Sequence, residues 1–277
     1  MTKQKLGSLY IARHGAAQQE RIDPASLVNL SHDAFRARIR ELNMRQGLTE
    51  EGWRQAHHLG RFLSREVQRP PIVAVGPYRR HQETAEGALP HFPGVTALPE
   101  EGLVERGRGR VDASVMPARV MRVEMPDEHH IKTERPATWR PGETGFPDDP
   151  GAWGESYPMV NARVQRVFSK IHALREAGQP AIFFTSGEVS LASMHESGYG
   201  GLTDADFRDG ITTPSGLRVP GTTFENGGVV SYHDPHGEGR YTHMQVVQPN
   251  WKAADPYRDA GVINTGLIPI QGGRNQG

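Results

Sequence analysis

Three short apolar runs, Ser8–Ala12, Ile72–Val75 and Ala181–Thr185, each break off at a polar turn containing glycine. The turns are Arg13-His14-Gly15, Gly76-Pro77-Tyr78 and Ser186-Gly187-Glu188, and the last two lead at once into helical sequence. Four- and five-residue apolar runs bounded by turns and separated by helices predict a mostly parallel sheet covered on both faces. The fold class is therefore α/β, a three-layer α/β/α sandwich. Side chains at the carboxyl ends of such strands line the functional edge of the sheet, which draws attention to what the three turns carry. Arg13 and His14 place a cation and an imidazole at the first, Arg79 and Arg80 stand at a helix N-terminus after the second, and Ser186 with Glu188 follow the third.

The remaining elements fill in around those strands. A short helix is predicted near Asp33–Leu42. Thr49 reads as an N-cap with Glu50 and Glu51 in the first turn, and Trp53, Ala56, Gly60, Leu63 and Val67 mark the apolar side of a helix stopped by Pro70 and Pro71. A short strand is predicted over Val95–Leu98. Gly154-Glu155-Ser156 opens a helix whose apolar residues Val160, Val164, Val167, Phe168, Ile171 and Leu174 recur every three or four positions. A further helix runs from about Val189 to Ser197. Gly227–Tyr232 and Thr242–Val247 read as an antiparallel edge hairpin. From about 111 to 153 the chain turns to Pro, Arg, Glu and His, as expected of a polar insertion over the active-site edge, and 249–277 reads as an irregular C-terminal tail. Together these predict a single domain over residues 1–277.

Composition narrows the chemistry. Lys plus Arg and Asp plus Glu are equal at 32 each, so no basic excess argues for nucleic acid, and the expected partner is a small phosphorylated or anionic molecule. Without cysteine there is no thiolate nucleophile, and histidine becomes the candidate for covalent chemistry. Nowhere do eighteen apolar residues run together, and no apolar leader precedes the first strand, so no membrane partner and a cytoplasmic setting are expected. Adjacent histidines on a helix point about 100° apart, so His57-His58 and His129-His130 read as solvated residues; no metal or other cofactor is expected. Oligomeric state is left open.

Five stretches occur in order along the chain: Leu9–Gly15 (LYIARHG), Leu48–Gly52 (LTEEG), Gly76–Ala85 (GPYRRHQETA), Leu103–Arg106 (LVER) and Gly154–Ser156 (GES). In these the chain resembles the histidine phosphatase superfamily, the phosphoglycerate mutase-like enzymes, over roughly residues 7–248. The resemblance implies that His14 is phosphorylated during turnover, that Arg13 and Arg80 hold the phosphoryl oxygens, and that Glu105 protonates the leaving oxygen. Physical chemistry agrees, since a neutral imidazole is a competent nucleophile near neutrality and guanidinium forks match phosphoryl oxygens.

The chain departs from that pattern at one conspicuous place. The resemblance implies a second histidine after the third core strand, and the aligned residue is Ser186. Glu188 and Glu20 add carboxylates to the expected pocket, and Ala16 and Ala17 replace polar residues after Gly15. Two compensations are open: Arg106, Arg108 and Arg110 turn positive charge inward, or the substrate itself carries a cation facing the acids. His81, next to Arg80, reads as a surface or supporting residue. The expected function is a phosphatase-like enzyme hydrolysing a small phosphate monoester through a phosphohistidine at His14. The alternatives are an inactive or repurposed member that binds an anionic ligand or partner, and a non-phosphatase reaction that uses His14.

Overall fold

A computed structural model describes residues 6–18, 30–106, 154–196, 211–212, 218–219, 225–259 and 261–270. Glu20, Arg108, Arg110, His129, His130 and the insertion expected at 111–153 lie outside the described residues. The described chain runs β1 (Leu9–Arg13), α1 (His32–Arg45), α2 (Glu50–Glu66), β2 (Ile72–Val75), α3 (Arg79–Ala88), β3 (Ala97–Pro99), α4 (Tyr157–Leu174), β4 (Ala181–Thr185), α5 (Gly187–Glu196), β5 (Ile211–Thr212), β6 (Arg218–Val219), β7 (Val229–His233), β8 (His243–Gln248), β9 (Ile263–Asn264) and β10 (Ile268–Pro269).

The main sheet has the order β10-β8-β7-β1-β4-β2-β3, with β9 also on β8; β5 and β6 pair separately. β1, β4, β2 and β3 are mutually parallel, and β7 joins β1 antiparallel. Because strand side chains alternate between faces, Leu9 and Ile11 pack with Val160, Val164 and Ile171 of α4 and Val189 of α5. Tyr10 and Ala12 point the other way, onto Leu59 and Leu63 of α2 and Ala85 and Ala88 of α3. These are the two helical layers of the expected sandwich.

The helices begin where side-chain caps allow. Thr49 accepts from the Gly52 amide at 3.0 Å and Ser156 from the Met159 amide at 3.3 Å, each satisfying a donor that the first turn leaves over. On α2 the buried face centres on Ala56, Leu59, Gly60 and Leu63, which leaves Trp53 on the exposed flank. Gly60 lets α2 close on α3, since a Cβ there would lie 2.6 Å from Ala88 Cα. Leu174, the last residue of α4, is also exposed, because the final turn overhangs the core that Val167 and Ile171 enter.

The predicted hairpin forms as β7 and β8, and the stretch after 249 returns to the fold within the described residues. β9 and β10 add to β8, Tyr257 stacks on Phe62 at 4.5 Å, and Trp251 Nε1 donates to the Asn226 carbonyl at 2.9 Å. Two-residue strands carry no readable alternation, which is why this segment looks irregular in sequence. Among the described residues no helix is long and apolar enough to cross a membrane.

Candidate active site

β1 and β4 run side by side in register, Arg13 opposite Thr185, and the pairing continues one step past β1 through the His14 amide, which donates to the Thr185 carbonyl at 2.9 Å. His14 and Ser186 therefore leave the sheet as neighbours. The loop that follows His14 is fixed from two helices. The Gly15 amide donates to Thr84 Oγ1 at 3.1 Å, and Thr84 in turn donates to the Arg80 carbonyl at 2.6 Å. The Ala16 amide donates to Gln55 Oε1 at 2.7 Å, while its carbonyl accepts from the Thr49 amide at 2.9 Å. Gly15 runs so close to α2 that a Cβ would lie 2.4 Å from the Gly52 carbonyl oxygen.

Hydrogen bonds define which nitrogen of His14 carries the proton. Nδ1 lies 2.7 Å from the Gly15 carbonyl, which can only accept, so Nδ1 is the N–H. Nε2 lies 3.1 Å from Arg80 Nε, which can only donate, so Nε2 holds the lone pair. Burial, then the charges of Arg80 and Arg13, push the imidazole well below its ordinary pKa, opposed by the bond to Gly15. His14 is thus a buried, neutral imidazole whose lone-pair nitrogen, Nε2, is capped by a guanidinium.

Arg80 is held on several sides. Its guanidinium lies 4.6 Å from the centre of the Tyr78 ring, Nη1 donates to Asn43 Oδ1 at 3.0 Å, and Nη2 stands 3.7 Å from Glu105 Oε2. Arg13 extends over the start of α5, where a Cβ on Gly187 would come within 3.1 Å of its Cδ.

Glu105 is placed by a clamp that sequence reading overlooks. Arg163 on α4 donates to the Gly102 carbonyl at 2.6 Å and the Glu105 carbonyl at 3.3 Å. Its guanidinium is aligned by a two-point bond to Glu155 at 3.0 Å each. Thr185 Oγ1 donates to the Leu103 carbonyl at 2.6 Å, tying the same turn to the end of β4. Glu105 Oε1 is buried and has no hydrogen-bond partner among the described residues. The Gly154-Glu155-Ser156 stretch therefore both caps α4 and fixes the loop bearing Glu105.

Arg106 and Glu188 face each other. Arg106 Nε lies 3.4 Å from Glu188 Oε2, which also accepts from the Tyr157 hydroxyl at 3.0 Å, and Arg106 Nη1 donates to the Glu155 carbonyl at 2.9 Å. Of the groups named for the two compensations, Arg106 and Glu188 are thus paired with each other, while Arg108 and Arg110 lie outside the described residues.

His81, read from sequence as a surface or supporting residue, is fully buried. Its ring centre lies 5.5 Å from that of His14, and its Nε2 lies 2.8 Å from Ser186 Oγ. Asn43, Tyr78, Thr84 and Arg163 also escape sequence reading; the only signal for Thr84 is its place in the Gly76–Ala85 stretch. His57 Nδ1 meets His91 Nε2 at 3.2 Å, away from these residues, and no group of three potential metal ligands is found among the described residues.

A family model for the histidine phosphatase superfamily (branch 1) matches residues 9–206. No curated protein matches the sequence. Among solved structures, the mycobacterial glucosyl-3-phosphoglycerate phosphatase in complex with inorganic phosphate is similar with a TM-score of 0.53 and 17% identity, covering 85% of this chain and 95% of that one. The phosphoserine phosphatase of Entamoeba histolytica in complex with 3-phosphoglyceric acid is similar with a TM-score of 0.51 and 14% identity, covering 86% and 96%. At these identities the likeness is one of fold.

Proposed function

Because this chain belongs to the histidine phosphatase superfamily, we propose that it hydrolyses a small phosphate monoester by way of a phosphohistidine at His14. The observation that carries this reading is the tautomer of His14, with Nδ1–H on the Gly15 carbonyl and an unprotonated Nε2 beside Arg80. Nε2 attacks phosphorus, the N–P bond forms, and the P–O bond to the leaving alkoxide breaks. Glu105, which must enter the step protonated with the anionic substrate phosphate beside it, gives its proton to that oxygen. Water then attacks phosphorus, Glu105 recovers a proton from it, and phosphate leaves with His14 restored. Arg80 Nε–H shifts from Nε2 to a phosphoryl oxygen as the N–P bond forms, and Arg13 offsets further charge on the transferring group. A binding module has no need of a nucleophile fixed in one tautomer beside a carboxyl group.

Incubation with sugar phosphates, nucleotides and amino-alcohol phosphates tests the proposal. Phosphate release together with acid-labile phosphate on His14, absent in His14→Ala, is the expected result. No phosphoenzyme and no release across the panel overturns it.

A further inference from the structure

The reaction above leaves His81 and Ser186 without a task, although both are fully buried against its nucleophile. Ser186 follows β4 beside His14, and His81 reaches it from the first turn of α3, touching the His14 ring on the way. The ring has space there because residue 76 is glycine: a Cβ would fall 2.3 Å from His81 Nδ1. Burial, and then the charge of Arg80, hold His81 well below its ordinary pKa, so it carries one N–H. Nδ1 is buried without a hydrogen-bond partner among the described residues, while Nε2 faces the serine hydroxyl. An orphaned buried donor is rarer and costlier than an orphaned acceptor, so the proton belongs on Nε2. Ser186 Oγ then accepts from His81 and has its own proton to give.

We propose that Ser186 and His81 form one unit of the phosphoryl site, in which His81 Nε2–H donates to Ser186 Oγ and directs the Ser186 hydroxyl proton to a phosphoryl oxygen. Ser186 is the group that touches phosphate and His81 is its positioning residue. The imidazole that the resemblance places at position 186 has thus been exchanged for a neutral hydroxyl backed by an imidazole from another element. Positive charge at the site rests with Arg13 and Arg80. The inference rests on the reading above only for the placing of a phosphoryl group beside His14.

The test uses the full chain, inorganic phosphate as the probe, and phosphate-ester turnover measured in parallel. Ring 15N signals assigned to His81 are expected to show the Nε2–H tautomer near neutral pH and to shift on phosphate addition. Ser186→Ala is expected to weaken phosphate binding about tenfold, Ser186→Thr to retain it, and His81→Gln, which keeps a donor, to lose less than His81→Ala. The double variant Ser186→Ala with His81→Gln should bind no worse than Ser186→Ala, because the two act through one hydroxyl. Additive losses, wild-type binding by Ser186→Ala, an Nδ1–H tautomer, or no phosphate binding by the unaltered chain overturns the proposal. If phosphate binding and the 15N signature behave as expected but no phosphohistidine forms, the hydrolase reading fails and this unit stands. If turnover proceeds through phosphohistidine and the losses are additive, the unit fails and the hydrolase reading stands.

Discussion

Arg80 Nε donates to His14 Nε2 across 3.1 Å, so the residue that orients the His14 imidazole also helps to keep it unprotonated. Burial is the larger cause of the lowered pKa and Arg80 the next, which makes the acid limb of activity a property of the pair. In the unaltered chain kcat/KM for a phosphate ester should show no loss attributable to an ordinary imidazole between pH 7 and pH 6. Arg80→Gln should lower kcat/KM by about a hundredfold and move the His14 acid limb upward. A variant profile parallel to that of the unaltered chain would show that Arg80 does not govern His14.

Stability should follow acid in a direction set by the buried histidines. His14 and His81 lie well below their ordinary value, and His233, between Ser8 Oγ and Ser231 Oγ at 3.0 and 2.8 Å, is lowered to about 4, chiefly by burial. Each binds its proton more readily when unfolded, so their contribution is complete above about pH 6.5 and lost as pH falls toward the folded values. Thermal unfolding should give a Tm that is level above pH 7 and declines from pH 6.5 to 4. His233→Gln should flatten part of that decline.

Glu188→Gln separates charge selectivity from folding. The carboxylate is committed to Arg106 and Tyr157, so the ratio of kcat/KM for aminated and plain phosphate esters should stay unchanged. Arg106, 3% exposed, would keep its charge and lose this counter-ion, costing about 3 kcal/mol in urea unfolding. A changed substrate ratio would instead place Glu188 at the substrate.

Arg163→Lys tests the clamp behind Glu105. Lysine keeps the charge but cannot hold Glu155 at two points while also reaching the Gly102 and Glu105 carbonyls. Loss of kcat by about tenfold, with KM little altered and a stability cost of about 1–2 kcal/mol, is expected. Unchanged kcat would show that the Glu105 loop is fixed without Arg163.

Gly76→Ala should act at a distance from the substrate by driving out the His81 ring, since the new Cβ would also lie 2.6 Å from the Leu103 carbonyl oxygen. Overpacking of this kind costs about 1–3 kcal/mol. The 15N signature of His81 should change with it; an unaltered signature would mean that the backbone yields instead.

Local pattern is enough for the elements that position the site. Ile72–Val75 and Ala181–Thr185 form strands with the predicted limits, because an apolar run between turn residues specifies a buried strand without reference to the rest of the chain. Thr49 and Ser156 cap the helices they announce, for the same local reason. His14, Arg13, Arg80 and Glu105 are legible as candidates through their motifs; the structure sets Arg80 against His14 and 3.7 Å from Glu105, with Arg13 near enough for its charge to act on His14. Spacing misplaces Trp53 because it defines a helical face only approximately, and the short strands near 263–269 are invisible to it because two residues have no period.

What the sequence determined by itself was the order of elements and which turns end at the functional edge. Tertiary structure alone decided the partners across it: His81 with Ser186, 105 positions apart, Arg106 with Glu188, and Arg163 with the Glu105 carbonyl. Such bonds depend on where crossovers bring separate elements together and on directions set by packing, neither of which leaves a periodic mark. A missing histidine could be read along the chain, whereas the imidazole that stands beside its replacement could be seen only after folding.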